Sequence, residues 1–393
     1  MISEPAEAPA LERSEPTPQR LALVLPGSGL FDARAGRIAA TMRARGHEVV
    51  VIARQGRPAG RPRNAIRRVA GAAWGALRQG SAARPALAGV DVAHAMGFLA
   101  LPVAGAGRRA SGPRVLYDAR DLYPEARNVA RFPAPIRWLV ARLERRWARA
   151  ADAVVTVNPA LATRQAAAWG VPPPVVVRNC PPRWRPPAHG SDRLRAMAGL
   201  AADAPVALYH GGFSPGRGLE QLRDALRQPG LESVHGIYLG YGPLESELRS
   251  WAAEPATRGR LHVLVAVPPD ELLATIASAD MAVMAIQPDT LNHRLSTPNK
   301  LFEAIAAGIP VVASDFPGIR EVVDDPAGPL GVLIDPTSPA AIAAGIRSIV
   351  EASSERRAAL RARCLAAAHE RWNWETESSR LIEVYGRLTG RSW

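Results

Sequence analysis

Cysteine is scarce: Cys180 and Cys364, far apart in the chain, are the only two in 393 residues. That excludes a disulfide framework and a cysteine-rich metal site, and makes a reducing cytoplasm the expected compartment. Long hydrophobic runs are missing as well. The longest, LALVL, VALYH, DMAVMAI and IPVVAS, fall far short of the roughly 20 apolar residues that a membrane-spanning helix needs. The opening MISEPAEAPALERSEPTPQR has neither the basic start nor the apolar core of a signal peptide. Its Pro and Glu content predicts a disordered lead over residues 1–19. No internal repeat survives residue-level comparison. Lysine is the rarest charged residue: of 49 Lys and Arg residues, only Lys300 is lysine. An ammonium is a compact point donor and a guanidinium a broad planar fork, so in a chain that otherwise uses arginine, the one lysine is expected to mark a place where the fork does not fit.

Charge is present in excess, with a formal net of +13. Arginines cluster between Arg54 and Arg84 and again in residues 135–152, PIRWLVARLERRWARAAD. No helix-turn-helix, zinc-finger or aromatic RNA-binding signature accompanies them, so nucleic acid is not an expected partner. Residues 135–152 predict an amphipathic helix, with Ile136, Leu139, Val140, Leu143 and Trp147 toward the core and arginines elsewhere. A solvated basic face is one reading of it. Peripheral contact with an anionic membrane, at the inner membrane surface, is the other. A high-GC codon bias would also produce such charge without any partner.

The length suggests two domains at roughly 150 residues or more each. Short apolar β-rich runs alternate with helical stretches: RLALVL, HEVVVIA, GVDVAHAM, PRVLYDARD and DAVVTVN. A proline-dense stretch, residues 171–190, reads as a linker. The rhythm then restarts with PVALYHGG, VHGIYLGYG, LHVLVAV, ADMAVMAI, IPVVAS and GVLID. Such alternation predicts an α/β protein of two doubly wound, parallel-sheet domains facing a central cleft, where ligands collect at strand C-termini. The expected divisions are residues 20–180, 181–370, and a C-terminal helix over 371–393 returning to the first domain.

Two constellations carry chemistry. In HGGFSPGRGLEQLRDAL, residues 210–226, Gly211, Gly212 and Gly218 let a ligand approach the backbone of a strand-to-helix turn that contains Arg217. In STPNKLFEAIAAG, Ser296 or Thr297 is expected to cap a helix and Pro298 to sit in its first turn. Asn299, Lys300 and Glu303 then project from that end. A phosphate there would meet backbone N–H groups, the Ser296 and Thr297 hydroxyls and an ammonium, and Glu303 would accept from a pair of hydroxyls such as a ribose. The rival reading is a capped helix that packs Leu301, Phe302 and Ile305.

With these motifs in order, the chain resembles the retaining glycosyltransferases of family 4, in the branch that carries a PNKLFE-type segment, with the GT-B fold. LPGSG, YDARDLYPE, DAVVTVNPALATRQAAAWG, HGGFSPGRGLEQLRDAL, YLGYGPLESELR and STPNKLFEAIAAGIPVVASDFPGIREVV carry the likeness over roughly residues 20–335. The resemblance implies a hexosyltransferase-like enzyme in which a nucleoside diphosphate sugar binds the second domain and a hydroxyl acceptor (polysaccharide, lipid or small natural product) binds the first. It implies no metal and no cofactor beyond that co-substrate. Arg217 and Lys300 match the cations that hold the diphosphate. Gly29, Gly211, Gly212, Gly218, Gly240, Ser296, Thr297, Pro298, Asn299 and Glu303 match the donor site, and His94, Asp118, Arg120 and Asp121 the acceptor side. The sequence also departs from the family: Leu295 stands where the first of two carboxylates belongs, Gly212 where many relatives have arginine, and Arg120 where a histidine is common. Two rivals follow, a silent sugar-nucleotide-binding or partner subunit and a pyridoxal phosphate Schiff base on Lys300.

Overall fold

The structure is a computed structural model that describes residues 18–26, 32–53, 75, 78–80, 82–108, 112–187 and 192–393. Gly29, the first 17 residues and most of the Arg54–Arg84 cluster lie outside the described residues. Two six-stranded sheets, every pairing parallel, form the frame. The first runs β2(Glu48–Ile52), β1(Arg20–Val24), β3(Val92–Met96), β4(Arg114–Ala119), β5(Ala153–Thr156), β6(Val175–Val176). The second runs β12(Gly331–Ile334), β11(Val311–Ser314), β10(Met281–Met284), β7(Val206–Gly212), β8(His235–Tyr241), β9(Leu261–Val265).

Helices cover both faces of each sheet, so the central strands are buried on both sides and consist almost wholly of apolar residues. Each of Leu21, Leu23, Val92, Leu116, Ala207, Leu208, Val311 and Val312 is fully buried. The chain order reverses beside β1 in the first sheet and between β7 and β10 in the second. At these switch points neighbouring connections leave in opposite directions and open a crevice at the strand C-termini.

Residues 171–190 are not wholly a linker: Val175 and Val176 pair with Val155 and Thr156 as edge strand β6. The three prolines before them lack N–H groups, which an edge strand tolerates because one of its sides has no partner. Helix Trp374–Thr389 lies against the first sheet and brings Trp374, Leu381, Val384 and Tyr385 into its core, with Trp374 Nε1 donating to Thr41 Oγ1 at 2.8 Å. Among the described residues no helix is long and apolar enough to cross a membrane.

Helix Ala134–Ala150 buries the expected side, with Val140 buried and Ile136, Leu143 and Trp147 partly so; Leu139 is the exception, and Glu144 and Ala148 join the stripe. Val140, Glu144 and Ala148 face inward, while Trp138 is 63% and Leu139 43% exposed. Glu144 is held inside because the phenol of Tyr117 on β4 donates to its Oε1 at 2.8 Å. Burial pushes the Glu144 carboxyl up to about 8.

Candidate active site

A cavity of about 720 Å³ opens between the two sheets. Its floor comes from the C-terminal ends of β7 and β10, the switch point of the second sheet. Helix Asn299–Ala306 points its N-terminus into it, and Arg120, Asp121, Val157 and Asn179 close it from the first domain.

Lys300, in the first turn of that helix, lays its side chain along β7. Its Nζ sits 3.7 Å from the centroid of the Tyr209 ring and borders the cavity on its other side. Arg217 enters from the turn after β7 and lowers the Lys300 pKa, as burial does still more strongly; Glu303 opposes both. Among the described residues neither cation pairs with a carboxylate, although ion pairs engage many of the other arginines. One turn beyond Lys300, Glu303 Oε2 accepts from His210 Nε2 at 3.0 Å. Burial would raise the Glu303 carboxyl, but the His210 hydrogen bond and the charges of His210, Lys300 and Arg37 hold it below the usual range. Two half-buried cations and an ionised carboxylate around one cavity suit a ligand with a doubly charged end and vicinal hydroxyls beside it.

The helix start is built differently from the sequence expectation. Pro298 is the capping residue and no side chain caps the turn. Ser296 Oγ donates to Asn292 O at 2.6 Å and Thr297 Oγ1 to Gly318 O at 2.8 Å, so both hydroxyls brace the preceding loop. The first N–H groups of the helix are left to the cavity, with the positive end of the helix dipole behind them.

Of the expected donor residues, Gly211, Gly212, Arg217, Ser296, Thr297, Pro298, Asn299, Lys300 and Glu303 line this cavity. Gly218 and Gly240 do not. A Cβ on Gly218 would stand 2.0 Å from Ala285 O, and one on Gly240 2.0 Å from Gly211 O. These two glycines serve close backbone packing around the strand ends and touch no ligand space.

On the acceptor side Arg120 and Asp121 line the cavity, and Arg120 pairs with Asp32 at 2.8 Å. His94 and Asp118 are corrected: both are fully buried in the first domain. Arg34 Nε bonds Asp118 Oδ2 at 2.6 Å and holds its carboxyl well below the usual range against the opposing effect of burial. His94 Nδ1 meets Tyr385 Oη at 2.7 Å, and burial lowers its pKa. This polar knot ties β3, β4 and helix Ala33–Ala44 to the C-terminal helix.

Tyr209, His210, Asn292 and His293 also line the cavity and were not singled out in the sequence. Tyr209 and His210 sit in a strand whose apolar run reads as core, and Asn292 and His293 in a short helix, Leu291–Leu295, that carries no motif. The signal that could have found His210 is its place directly before the Gly211–Gly212 turn. Leu295, at the place of the missing carboxylate, packs against Leu122, Val157 and Leu161 from the first domain. Among the described residues no group of three or more His, Cys, Asp or Glu is placed to hold a metal ion.

Residues 34–181 match the family described as Glycosyltransferase Family 4, and residues 191–366 that described as Glycosyl transferases group 1. The D-inositol 3-phosphate glycosyltransferase of Xylanimonas cellulosilytica is 30% identical over 225 residues, 56% of this chain and 51% of that protein. The phosphatidyl-myo-inositol mannosyltransferase of Mycobacterium leprae is 30% identical over 233 residues, 54% of this chain and 58% of that one. The match thus spans little more than half the length of these curated relatives. Among solved structures, sucrose-phosphate synthase from Thermosynechococcus elongatus superposes with a TM-score of 0.75 at 19% identity, covering 95% of this chain and 99% of its own. Anabaena HepE in complex with UDP-glucose gives 0.70 at 19% identity, with 94% and 99% covered. At these identities the structural likeness speaks for the fold alone.

Proposed function

We propose, for a chain that belongs to glycosyltransferase family 4 and carries the GT-B fold, that it transfers a sugar from a nucleoside diphosphate donor to an acceptor hydroxyl, with the anomeric configuration retained. The observation that carries this reading is the convergence of Lys300 and Arg217, both without a carboxylate partner among the described residues, on one cavity at the strand ends. Structures of Anabaena HepE hold UDP and UDP-glucose, which supports a nucleotide sugar as the donor class.

As the glycosidic bond to the donor breaks, negative charge grows on the departing diphosphate. Lys300, Arg217 and the uncapped N–H groups at Asn299 stabilise that charge more in the transition state than in the bound substrate, and this difference is what accelerates the reaction. Glu303, ionised and oriented by His210, accepts hydrogen bonds from the ribose hydroxyls. Asp121 and Arg120 face the same space from the first domain and orient the acceptor. The hydroxyl attacks on the face the diphosphate leaves, and the departing phosphate takes its proton, so no protein nucleophile is required.

One observation favours a second reading. Leu295 replaces a family carboxylate and is spent on packing the domain interface, as it would be in a subunit that binds sugar nucleotides without turning them over. A panel of UDP, GDP, dTDP and ADP sugars read by thermal shift tests donor binding, because a ligand of the folded state must raise its stability, by about 2.7 kcal/mol at 100-fold saturation. At least one member is expected to raise Tm, and slow hydrolysis of that donor separates enzyme from silent subunit. A flat response across the panel refutes the donor site.

A further inference from the structure

The tyrosine beneath the lone lysine is unexplained by packing alone. Tyr209 is almost fully buried, and its ring stands against Phe213 and Tyr238 at centroid distances of 6.3 and 6.1 Å. Its hydroxyl donates to Gly212 O at 2.8 Å, which pins both the ring plane and the Gly211–Gly212 turn. Neither rotation nor retreat is open to a ring held at both ends. The Lys300 ammonium rests on the exposed face of that ring, 3.7 Å from its centroid.

Gly211, at φ +113°, leaves the adjacent space empty; a Cβ there would stand 3.3 Å from Nζ. The seat therefore has the footprint of an ammonium. A guanidinium carries its charge over a wider plane and needs more room than the ring, the glycine and Arg217 leave. The negative face of an aromatic ring attracts a cation by about 0.5–2 kcal/mol, more where water is excluded. Here that attraction opposes the repulsion from Arg217, which no carboxylate pairs among the described residues.

We propose that Tyr209 is a positioning residue for the diphosphate subsite: its ring face holds the Lys300 amino group on the back wall of the cavity before any ligand arrives. This deepens the donor reading above and rests on it for the identity of the anion. The charged and titratable groups that face the ammonium or its neighbours are Arg217 from the β7 turn, Glu303 on its own helix, His210 on β7 and Arg37 from the first domain. The arrangement gives a physical reason why this one position keeps lysine.

Because the full chain has one lysine, labelling with lysine carrying carbon-13 at Cε yields a single reporter of this side chain. Its NMR titration is compared in the wild type, in Tyr209→Phe, and with Tyr209 replaced by pentafluorophenylalanine, which keeps the ring's shape and inverts its quadrupole. The expected midpoint is nearly unchanged in Tyr209→Phe and about one pH unit lower in the fluorinated protein, the equivalent of roughly 1.4 kcal/mol. Inorganic pyrophosphate then serves as a probe free of base and sugar. Its affinity is expected to stay within about twofold of wild type in Tyr209→Phe and to fall about tenfold in the fluorinated protein and in Lys300→Arg.

Identical titrations in all three proteins overturn the ring contact. A shifted titration with equal pyrophosphate affinities in wild type and fluorinated protein overturns the positioning role. Failure of pyrophosphate to bind even the wild type, with the titration shift intact, condemns the donor reading and leaves the ring contact standing.

Discussion

Replacing Lys300 by alanine removes a point charge from the cavity wall at the start of helix Asn299–Ala306. A single preorganised donor at a developing anion is worth about 100-fold or more in rate. In steady-state kinetics with whichever donor the panel identifies, kcat of Lys300→Ala should drop by that order, and near-normal turnover would take the lysine out of the mechanism. That this residue lines the cavity was legible because it is unique in composition and sits at a predicted helix start; the same place for Arg217 and Glu303 was legible because a charge in a glycine-rich turn or on a helix's first turns has few structural reasons to be there. His94 and Asp118 misled for the opposite reason. A strand's alternation says which residues share a face, but not whether that face meets ligand or the chain's own helix, and here Arg34 and Tyr385 fill the space. Tyr209 was illegible since an aromatic in a buried strand looks like packing. Glu144 offers a second test at this scale. Its carboxyl is raised to about 8 in the fold and titrates near 4.5 when unfolded. Between those values the folded chain keeps a proton that the unfolded chain has lost, so stability falls as pH rises, by at most about 1.4 kcal/mol per unit. Glu144→Gln keeps an acceptor for Tyr117 and cannot titrate; its Tm should decline less from pH 5 to 8 than that of the wild type, and parallel curves would refute the buried proton.

At the scale of elements, eleven of the twelve strands coincide with apolar runs visible in the sequence, because a strand covered on both faces must be continuously hydrophobic. β6 was hidden by its prolines, which signal a linker more loudly than two valines signal an edge strand. Helix Ala134–Ala150 shows where periodicity stops informing. Its span and most of its inner face were plain, but periodicity did not show that Glu144, bonded to Tyr117, lies on the buried side or that Leu139 faces outward beside Trp138. Trp138 lies beneath Arg142, whose guanidinium carbon is 5.6 Å from the ring centroid, and Arg145, Arg146 and Arg149 are exposed on the same helix. An exposed indole among arginines is the composition of a surface that lies at a lipid headgroup layer. We therefore expect co-sedimentation with vesicles that contain phosphatidylserine and none with pure phosphatidylcholine. Arg142→Gln should weaken it about fivefold, the worth of roughly 1 kcal/mol per basic residue, and Trp138→Ser should weaken it further. Equal sedimentation of wild type and both variants would make the face an ordinary solvated one.

The whole molecule works only if its halves meet at the right separation, since the cations come from the second domain and Arg120 and Asp121 from the first. Two asparagines bridge the halves. Asn292 accepts from the backbone N–H of Leu122 at 2.7 Å and donates to Asp121 Oδ1 at 2.9 Å, tying helix Leu291–Leu295 to the segment after β4. Asn158 spends its two ends differently. Its oxygen caps helix Pro159–Trp169 by accepting from Leu161 N at 2.8 Å, while its NH₂ donates across the interface to Leu295 O at 2.8 Å and Thr297 Oγ1 at 3.1 Å. The division lets one substitution separate the functions. Asn158→Asp retains an oxygen for the cap, since aspartate caps as well as asparagine does, but turns a second acceptor toward a carbonyl and a hydroxyl oxygen in a site that is fully buried. Losing the buried donor costs about 1–3 kcal/mol, and the stranded carboxylate adds to it. The domains should therefore part while each keeps its fold: circular dichroism unchanged, a larger radius of gyration by small-angle scattering, and kcat lowered at least tenfold because the acceptor no longer reaches the donor. Asn158→Ala would lose cap and clamp together and could not tell them apart. If Asn158→Asp scatters as the wild type does and retains its activity, the interface is held by its apolar contacts, Leu295 on Leu122, Val157 and Leu161, and the asparagine is only a helix cap.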